Sequence, residues 1–172
     1  NNVTYASTDN NFMWSVSTDR VALIDKSNGG WKLVTDIDLP GAKRLTVDQL
    51  KSISDVQYKS LEFAEKHLKQ ILGPEPGRVL PAGVYALVSS ENFVYANAGT
   101  VVSAIGLVDS NDPSKGLEVK YRFDVSSLIP AAEIAPGIKR INMVGMNMTY
   151  DGHIVIGAVN GLAVIDRELK GP

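Results

Sequence analysis

Polar side chains that could bind a ligand fall in the turns and links of this 172-residue sequence. Carboxylate and amide oxygens bind hard cations such as Ca²⁺, and arginine and lysine hold carboxylates or phosphates. The ligand-binding candidates are Asp19, Arg20, Asn97, Glu133, Lys139, Arg140, Asn142 and Asn160. They can act together only if the elements that carry them stand side by side.

The sequence favours no particular catalytic group. Cysteine is absent, and the only histidines are His67 and His153. His67 falls in a segment with a helical pattern, beside its charged side, and is expected at a surface. His153 follows a turn at the place that Phe12 and Phe93 take elsewhere, which favours a structural role. No nucleophile, metalloprotease or nucleotide-binding motif occurs. The catalytic residues and any resident metal therefore stay unassigned.

Three apolar phrases end in aspartate: Val21–Asp25, Ala104–Asp109 and Leu162–Asp166. Three carboxylates at equivalent places could suggest a shared chemical role. An aspartate at a strand end can also accept hydrogen bonds from backbone N–H groups of the following turn. Because the residue recurs with the repeat, we predict this structural role.

Each aspartate closes a unit of short apolar strands separated by turns that contain Asn, Asp, Ser or Gly. Spacings of tens of residues between such units indicate a repeat architecture. In the first two units a fourth strand with alternating polarity follows, at residues 31–39 and 117–125. We expect four antiparallel strands in these units and three in the last.

Two segments, RVALIDKSNGGWKL and MTYDGHIVIGAVNGLAVIDREL, resemble the repeats of quinoprotein-like, YVTN and NHL-type β-propellers. The resemblance covers residues 3–41 and 83–171. It implies an all-β fold of four-stranded antiparallel blades, about two and three-quarter of them, so that residues 1–172 form a single partial β-propeller. Propellers typically close with about 4–8 blades. The resemblance therefore implies completion by a second polypeptide or by remaining blades of the same protein.

Residues 42–80 interrupt this pattern with a predicted helical insertion between the first and second blades. Leu61, Ala64, Leu68 and Ile71 form an apolar helical stripe, and the segment before them contains capping-box sequences. Such an insertion could act as a lid, as a docking element for a partner, or as a plain cover of one face.

Two functions remain open. One is part of a propeller enzyme or small-ligand-binding protein with its site on the central-channel face; the resemblance implies an oxidoreductase, a lactonase-like hydrolase or a lyase. The alternative is a non-catalytic scaffold for protein–protein interaction. A net charge of −2 gives no attraction to nucleic acid, and no apolar run is long enough to span a membrane. We expect a soluble protein, and a periplasmic or secreted location is favoured without being fixed.

Overall fold

The computed structural model describes residues 4–7, 11–16, 20–42, 86–88, 93–135 and 137–172. Their strands are β1 Thr4–Ser7, β2 Phe12–Val16, β3 Arg20–Asp25, β4 Lys32–Asp38, β5 Ala86–Val88, β6 Phe93–Ala98, β7 Val101–Leu107, β8 Leu117–Asp124, β9 Ala132–Ala135, β10 Ile138–Arg140, β11 Met143–Met148, β12 Ile154–Ala158 and β13 Gly161–Ile165. Two 3-10 turns, Pro113–Lys115 and Val125–Ser127, are the helical elements of this part. None of its helices has the length and hydrophobicity that crossing a bilayer takes.

The strands form four antiparallel sheets. Sheet 1 has the order β1-β2-β3-β4 and sheet 2 the order β5-β6-β7-β8. Sheet 3 has the order β11-β12-β13, and β9 and β10 pair as a separate hairpin. Every strand of the first three sheets pairs with its neighbour in the chain.

Sheet 1 packs on one face of sheet 2 through a buried apolar cluster. Trp14, Val21 and Leu23 supply the sheet 1 side, and Val94 and Ile105 supply the sheet 2 side. All of them are at most 3% exposed. This packing explains why burial alternates along β3, where Val21 and Leu23 are buried and Ala22 and Ile24 are half-buried, because only one side of the strand meets sheet 2.

Sheet 3 packs on the opposite face of sheet 2. Tyr95 and Val102 of sheet 2 meet Ile154, Ile156 and Ile165 of sheet 3 in a second buried cluster. Sheet 2 is therefore covered on both faces, and its strands β6 and β7 are buried almost without interruption. Sheets 1, 2 and 3 are therefore stacked in the order in which they occur in the sequence.

Strand register gives the equivalent positions of the three sheets. Met13 lies opposite Ile24, Val94 lies opposite Ile105, and Ile154 lies opposite Ile165. One pair further along sheets 1 and 2, Phe12 lies opposite Asp25 and Phe93 lies opposite Gly106. In sheet 2, Gly106 thus stands where sheet 1 has Asp25, and Asp109 lies beyond the strand. This explains why the spacing from Phe93 to its aspartate is longer than in the other two units.

The β-propeller prediction is wrong. The described residues form four separate sheets of four, four, three and two strands, and they do not close into a ring. A sequence repeat reports the strands within each sheet, but the angle between successive sheets depends on side-chain packing that the repeat does not encode. The segment between β8 and β11 contains the β9–β10 hairpin, which the sequence analysis did not predict. The predicted helical insertion, residues 42–80, lies outside the described residues apart from Ala42.

Three backbone segments meet at the turn between β6 and β7. Gly41, which follows β4, and Gly99, which forms this turn, have φ values of +82° and +61°. A Cβ atom on Gly99 would lie 3.0 Å from the carbonyl oxygen of Gly41 and 3.5 Å from that of Lys139. The amide of Ile141 donates a 3.0 Å hydrogen bond to the carbonyl oxygen of Gly99. Glycine is required here because it accepts positive φ and leaves room for neighbouring backbone.

Candidate functional site

Most of the predicted ligand-binding residues lie at one end of the stacked sheets, which we call the turn end. It comprises the start of β3, the β6–β7 and β12–β13 turns, and the backbone segments that contact these turns. Gly41, which follows β4, lies against Ala98 and Val101 of the β6–β7 hairpin. The amide of Val159 donates a 2.9 Å hydrogen bond to the carbonyl oxygen of Asn142. Asp19 lies outside the described residues.

Arg20 binds carboxylates of the neighbouring strand. Its Nε donates to Asp36 Oδ2 over 2.6 Å, and its Nη1 donates to Asp38 Oδ1 over 2.5 Å. The Arg20 side chain lowers the pKa of Asp36 below its usual value. These ion pairs connect β3 to β4 across the sheet. Because the side chains are more than a third exposed, the pairs contribute little to stability.

The side-chain amides of Asn97 and Asn160 both donate hydrogen bonds to backbone carbonyl oxygens. Asn97 is fully buried, and its Nδ2 donates to the carbonyl oxygen of Val101 over 3.0 Å. Its Oδ1 is buried without a hydrogen-bond partner. Asn160 Nδ2 donates to the carbonyl oxygen of Pro130 over 3.1 Å. Asn160 thereby attaches the β12–β13 turn to the segment before the β9–β10 hairpin.

The remaining candidates belong to that hairpin and to the residues after it. Glu133 Oε1 accepts a 2.8 Å hydrogen bond from the amide of Gly137, and Glu133 lies opposite Lys139 across the two strands. Arg140 Nε donates to Asn142 Oδ1 over 3.1 Å. Among the described residues, no group of three or more His, Asp or Glu side chains could hold a metal ion. The ligand site stays a prediction, and Ca²⁺ has no support there.

The repeat-closing aspartates act as the sequence predicted, by capping turns. Asp25 Oδ1 accepts from the amide of Ser27 over 2.8 Å, and Asp109 Oδ1 accepts from the amide of Asn111 over 2.9 Å. The hydroxyl and amide of Ser27 lower the pKa of Asp25. The Lys115 side chain, followed by the Asn111 amide, lowers the pKa of Asp109. These aspartates therefore have a structural role in holding the turns that follow them.

Asp166 makes two such bonds, and we expect Asp166→Ala to lower the free energy of unfolding by about 1 kcal/mol. Its Oδ1 accepts from the amides of Glu168 and Lys170, at 2.8 and 3.1 Å. The turn places Leu169 in the core. Asp166→Asn keeps an acceptor oxygen and should lose less than half as much in urea denaturation. Equal losses would show that the charge matters rather than the acceptor.

His153 supports a hairpin rather than a catalytic site. Its backbone amide donates to Thr149 Oγ1 over 2.9 Å, and its Nδ1 lies 3.1 Å from Asp151 Oδ2. The Thr149 hydroxyl and then His153 lower the pKa of Asp151. All of these groups belong to the turn between β11 and β12.

Sheet 3 exposes an apolar surface on the side that faces away from sheet 2. Strand register places six residues on this side, which we call the outward face: Gly145, Asn147, Val155, Gly157, Leu162 and Val164. Leu162 is 70% exposed and Val164 is 42% exposed. On the other side of the same strands, Ile154, Ile156 and Ile165 are fully buried.

The equivalent faces of the other two sheets are covered. By register, Leu162 corresponds to Val21 and Val102, which are both 0% exposed. Val164 corresponds to Leu23 and Ala104, which are buried against the next sheet of the stack. The outward face of sheet 3 thus has the position and apolar character of a packing surface, but in this chain it remains exposed.

The edge of sheet 3 formed by β13 is also apolar and, among the described residues, unpaired. In the part of the chain that the structure describes, β13 pairs with β12 alone, whereas β3 and β7 each lie between two strands. The edge strands β4 and β8 carry several charged residues. β13, with the sequence GLAVI, carries none. Charges on edge strands prevent unwanted pairing. β13 lacks them, as do the edge strands β1, β5 and β11 that begin the sheets, and its sequence is as apolar as that of the interior strand β7.

Sequence reasoning found the three-strand count of the last unit but not this surface, because only the register shows which side chains are exposed. No protein-family model matches this sequence, and no curated protein shows significant similarity to it.

Proposed function

We propose that this chain is a protein-interaction module whose contact surface is the outward face of sheet 3. The observation that carries the proposal is the exposure of Leu162 and Val164, whose counterparts in sheets 1 and 2 are buried. Contiguous apolar surface on a folded domain is typical of contact sites. Leu162 and Val164 form the centre of that surface. The residues at the equivalent positions of sheets 1 and 2 are buried, whereas these two are exposed to solvent.

Covering this face would be favourable. Burying an exposed leucine or valine side chain contributes about 1.5–3 kcal/mol. Next to Leu162 lie Gly157 and then Gly145, which face each other across β12 and β11. A Cβ atom on Gly145 would meet nothing within 4 Å. The glycines therefore leave a flat strip beside the apolar side chains, where a partner can approach the backbone.

The partner is proposed to be a second polypeptide chain, which can present the apolar surface that the face requires. The other expectation, a small-ligand or catalytic site at the turn end, has weaker support, because most of the described candidates there already bond to neighbouring protein groups.

Leu162→Glu is expected to abolish binding of the partner while leaving the fold intact, because the side chain is exposed in the free chain and buried in the complex. Val108→Glu is the matched control, since Val108 is also exposed, at 46%, and lies outside sheet 3. The measurement is quantitative affinity purification from the cells of origin with wild type and both variants as baits. Proteins retained by wild type and Val108→Glu, and lost with Leu162→Glu, would support the proposal. Identical sets from all three baits would contradict it.

A further inference from the structure

We infer that the partner adds an extended strand to β13, antiparallel to it, and that this strand follows a definite side-chain rule. An apolar side chain lies opposite Leu162, a charged side chain lies opposite Ala163, and an acidic one lies opposite Gly161. The inference rests on the proposed function and specifies the partner that the same surface takes.

The backbone of β13 is oriented for this addition. The turn Val159–Asn160 joins β12 to β13, and Ala158 pairs with Gly161 beside it. In a hairpin with a two-residue turn, this pair exchanges backbone hydrogen bonds, and bonded pairs alternate with non-bonded pairs along the strands. The N–H and C=O groups of Leu162 and Val164 therefore point away from β12. The same two residues thus present side chains to the outward face and backbone groups to the open edge.

The apolar part of the rule comes from the fourth strands of sheets 1 and 2. At the position equivalent to Leu162, β4 places Ile37 opposite Val21, and β8 places Phe123 opposite Val102. Both Ile37 and Phe123 pack on the cluster that covers the face. Opposite the positions equivalent to Val164, β4 has Thr35 and β8 has Tyr121, so this place takes a polar or an aromatic side chain. An incoming strand with an apolar residue opposite Leu162 would extend the outward face by one strand.

The charged part of the rule comes from the residues between them. Opposite the positions equivalent to Ala163, β4 has Asp36 and β8 has Arg122. Opposite the positions equivalent to Gly161, both strands have an aspartate, Asp38 and Asp124. These charges lie on the other side of the strand, and they give the added strand a protected outer edge of its own.

A peptide of residues 117–125, LEVKYRFDV, is the probe. In the register of β8 it would place Tyr121 opposite Val164 and Phe123 opposite Leu162. The matched control carries Tyr121→Lys and Phe123→Glu, which removes both aromatic side chains without changing net charge or length. A one-residue slip in register cannot restore them.

Residue-resolved amide exchange of the whole chain is the measurement, at peptide concentrations up to millimolar. We expect the first peptide to slow exchange at Leu162 and Val164 at least tenfold. Exchange at Ala163, whose amide faces β12, should change far less. The control peptide should protect neither residue. Protection by both peptides, or of all three amides equally, would overturn the inference.

Val164→Pro tests the backbone bond, because proline is accepted on edge strands where the N–H faces outward. It should weaken peptide binding at least tenfold, and Val164→Lys should do the same if the proline variant does not fold. If neither peptide binds while Leu162→Glu still loses the cellular partner, strand addition fails and the proposed function stands. If Leu162→Glu loses nothing, the proposed function itself fails.

Discussion

Gly41→Ala is expected to lower the free energy of unfolding by about 3 kcal/mol or more, since positive φ and close packing with backbone both oppose the new side chain. The added Cβ atom would overlap the carbonyl oxygen of Ala98, and it would lie 3.0 Å from Val101 Cβ. Backbone cannot rotate away as a flexible side chain can. The strain would therefore spread to the β6–β7 turn of sheet 2, which lies against the segment that follows β4 of sheet 1.

Two other glycines separate the contributions. Gly29 also has positive φ, at +72°, but its Cβ atom would meet nothing within 4 Å. Gly29→Ala should cost about 1 kcal/mol from the backbone conformation alone. Gly30 has neither constraint, and Gly30→Ala should stay within about 0.5 kcal/mol of wild type. Urea denaturation of the three variants is the measurement. If Gly41→Ala costs no more than Gly29→Ala, the close packing at Ala98 contributes nothing.

Ile156→Ala is expected to cost about 2–5 kcal/mol, because it leaves a cavity in the buried cluster between sheets 2 and 3. Ile156 is 0% exposed, and it packs in the same cluster as Tyr95 and Val102. The loss should appear as a lower urea midpoint with an unchanged dependence on urea concentration.

Val164→Ala is the comparison from the opposite side of the same sheet. Val164 is 42% exposed, so its truncation should change the free energy of unfolding by less than about 0.5 kcal/mol. The pair of variants thus tests which side of sheet 3 is the packed one. A large loss for Val164→Ala with a small loss for Ile156→Ala would reverse the faces and remove the basis for the proposed contact surface.

Local patterns in the sequence predicted the strands of sheets 1, 2 and 3 and the capping role of Asp25, Asp109 and Asp166. These features depend on residues close together in the chain, namely alternating polarity and side-chain bonds to the next turn. The β9–β10 hairpin was missed. Gly137, which has φ +72° between the two strands, follows Pro136, and the Pro-Gly dipeptide is a turn signal that could have indicated it.

The arrangement of sheets and the exposed surface could not be obtained in this way. Whether Leu162 is buried depends on what lies against its sheet, and the phrase that contains it resembles the phrases around Val21 and Val102. For the candidate ligand residues, the sequence suggested a function that their contacts in the structure do not favour. Their polarity suggested a binding site, while bonds such as that from Asn160 to the Pro130 carbonyl oxygen depend on a contact between distant segments.

The stacking of the sheets has a consequence for how the protein opens. Each sheet is built from consecutive strands and is held mainly by the sheets beside it, as units are in a linear array with nearest-neighbour coupling. Sheet 2 has a neighbour on both faces, whereas the outward face of sheet 3 has none in the described chain. Sheet 3 can therefore separate by breaking one interface while sheets 1 and 2 stay folded together. A partner bound to the outward face would give sheet 3 a second interface. The free energy of its local opening would then rise towards that of global unfolding.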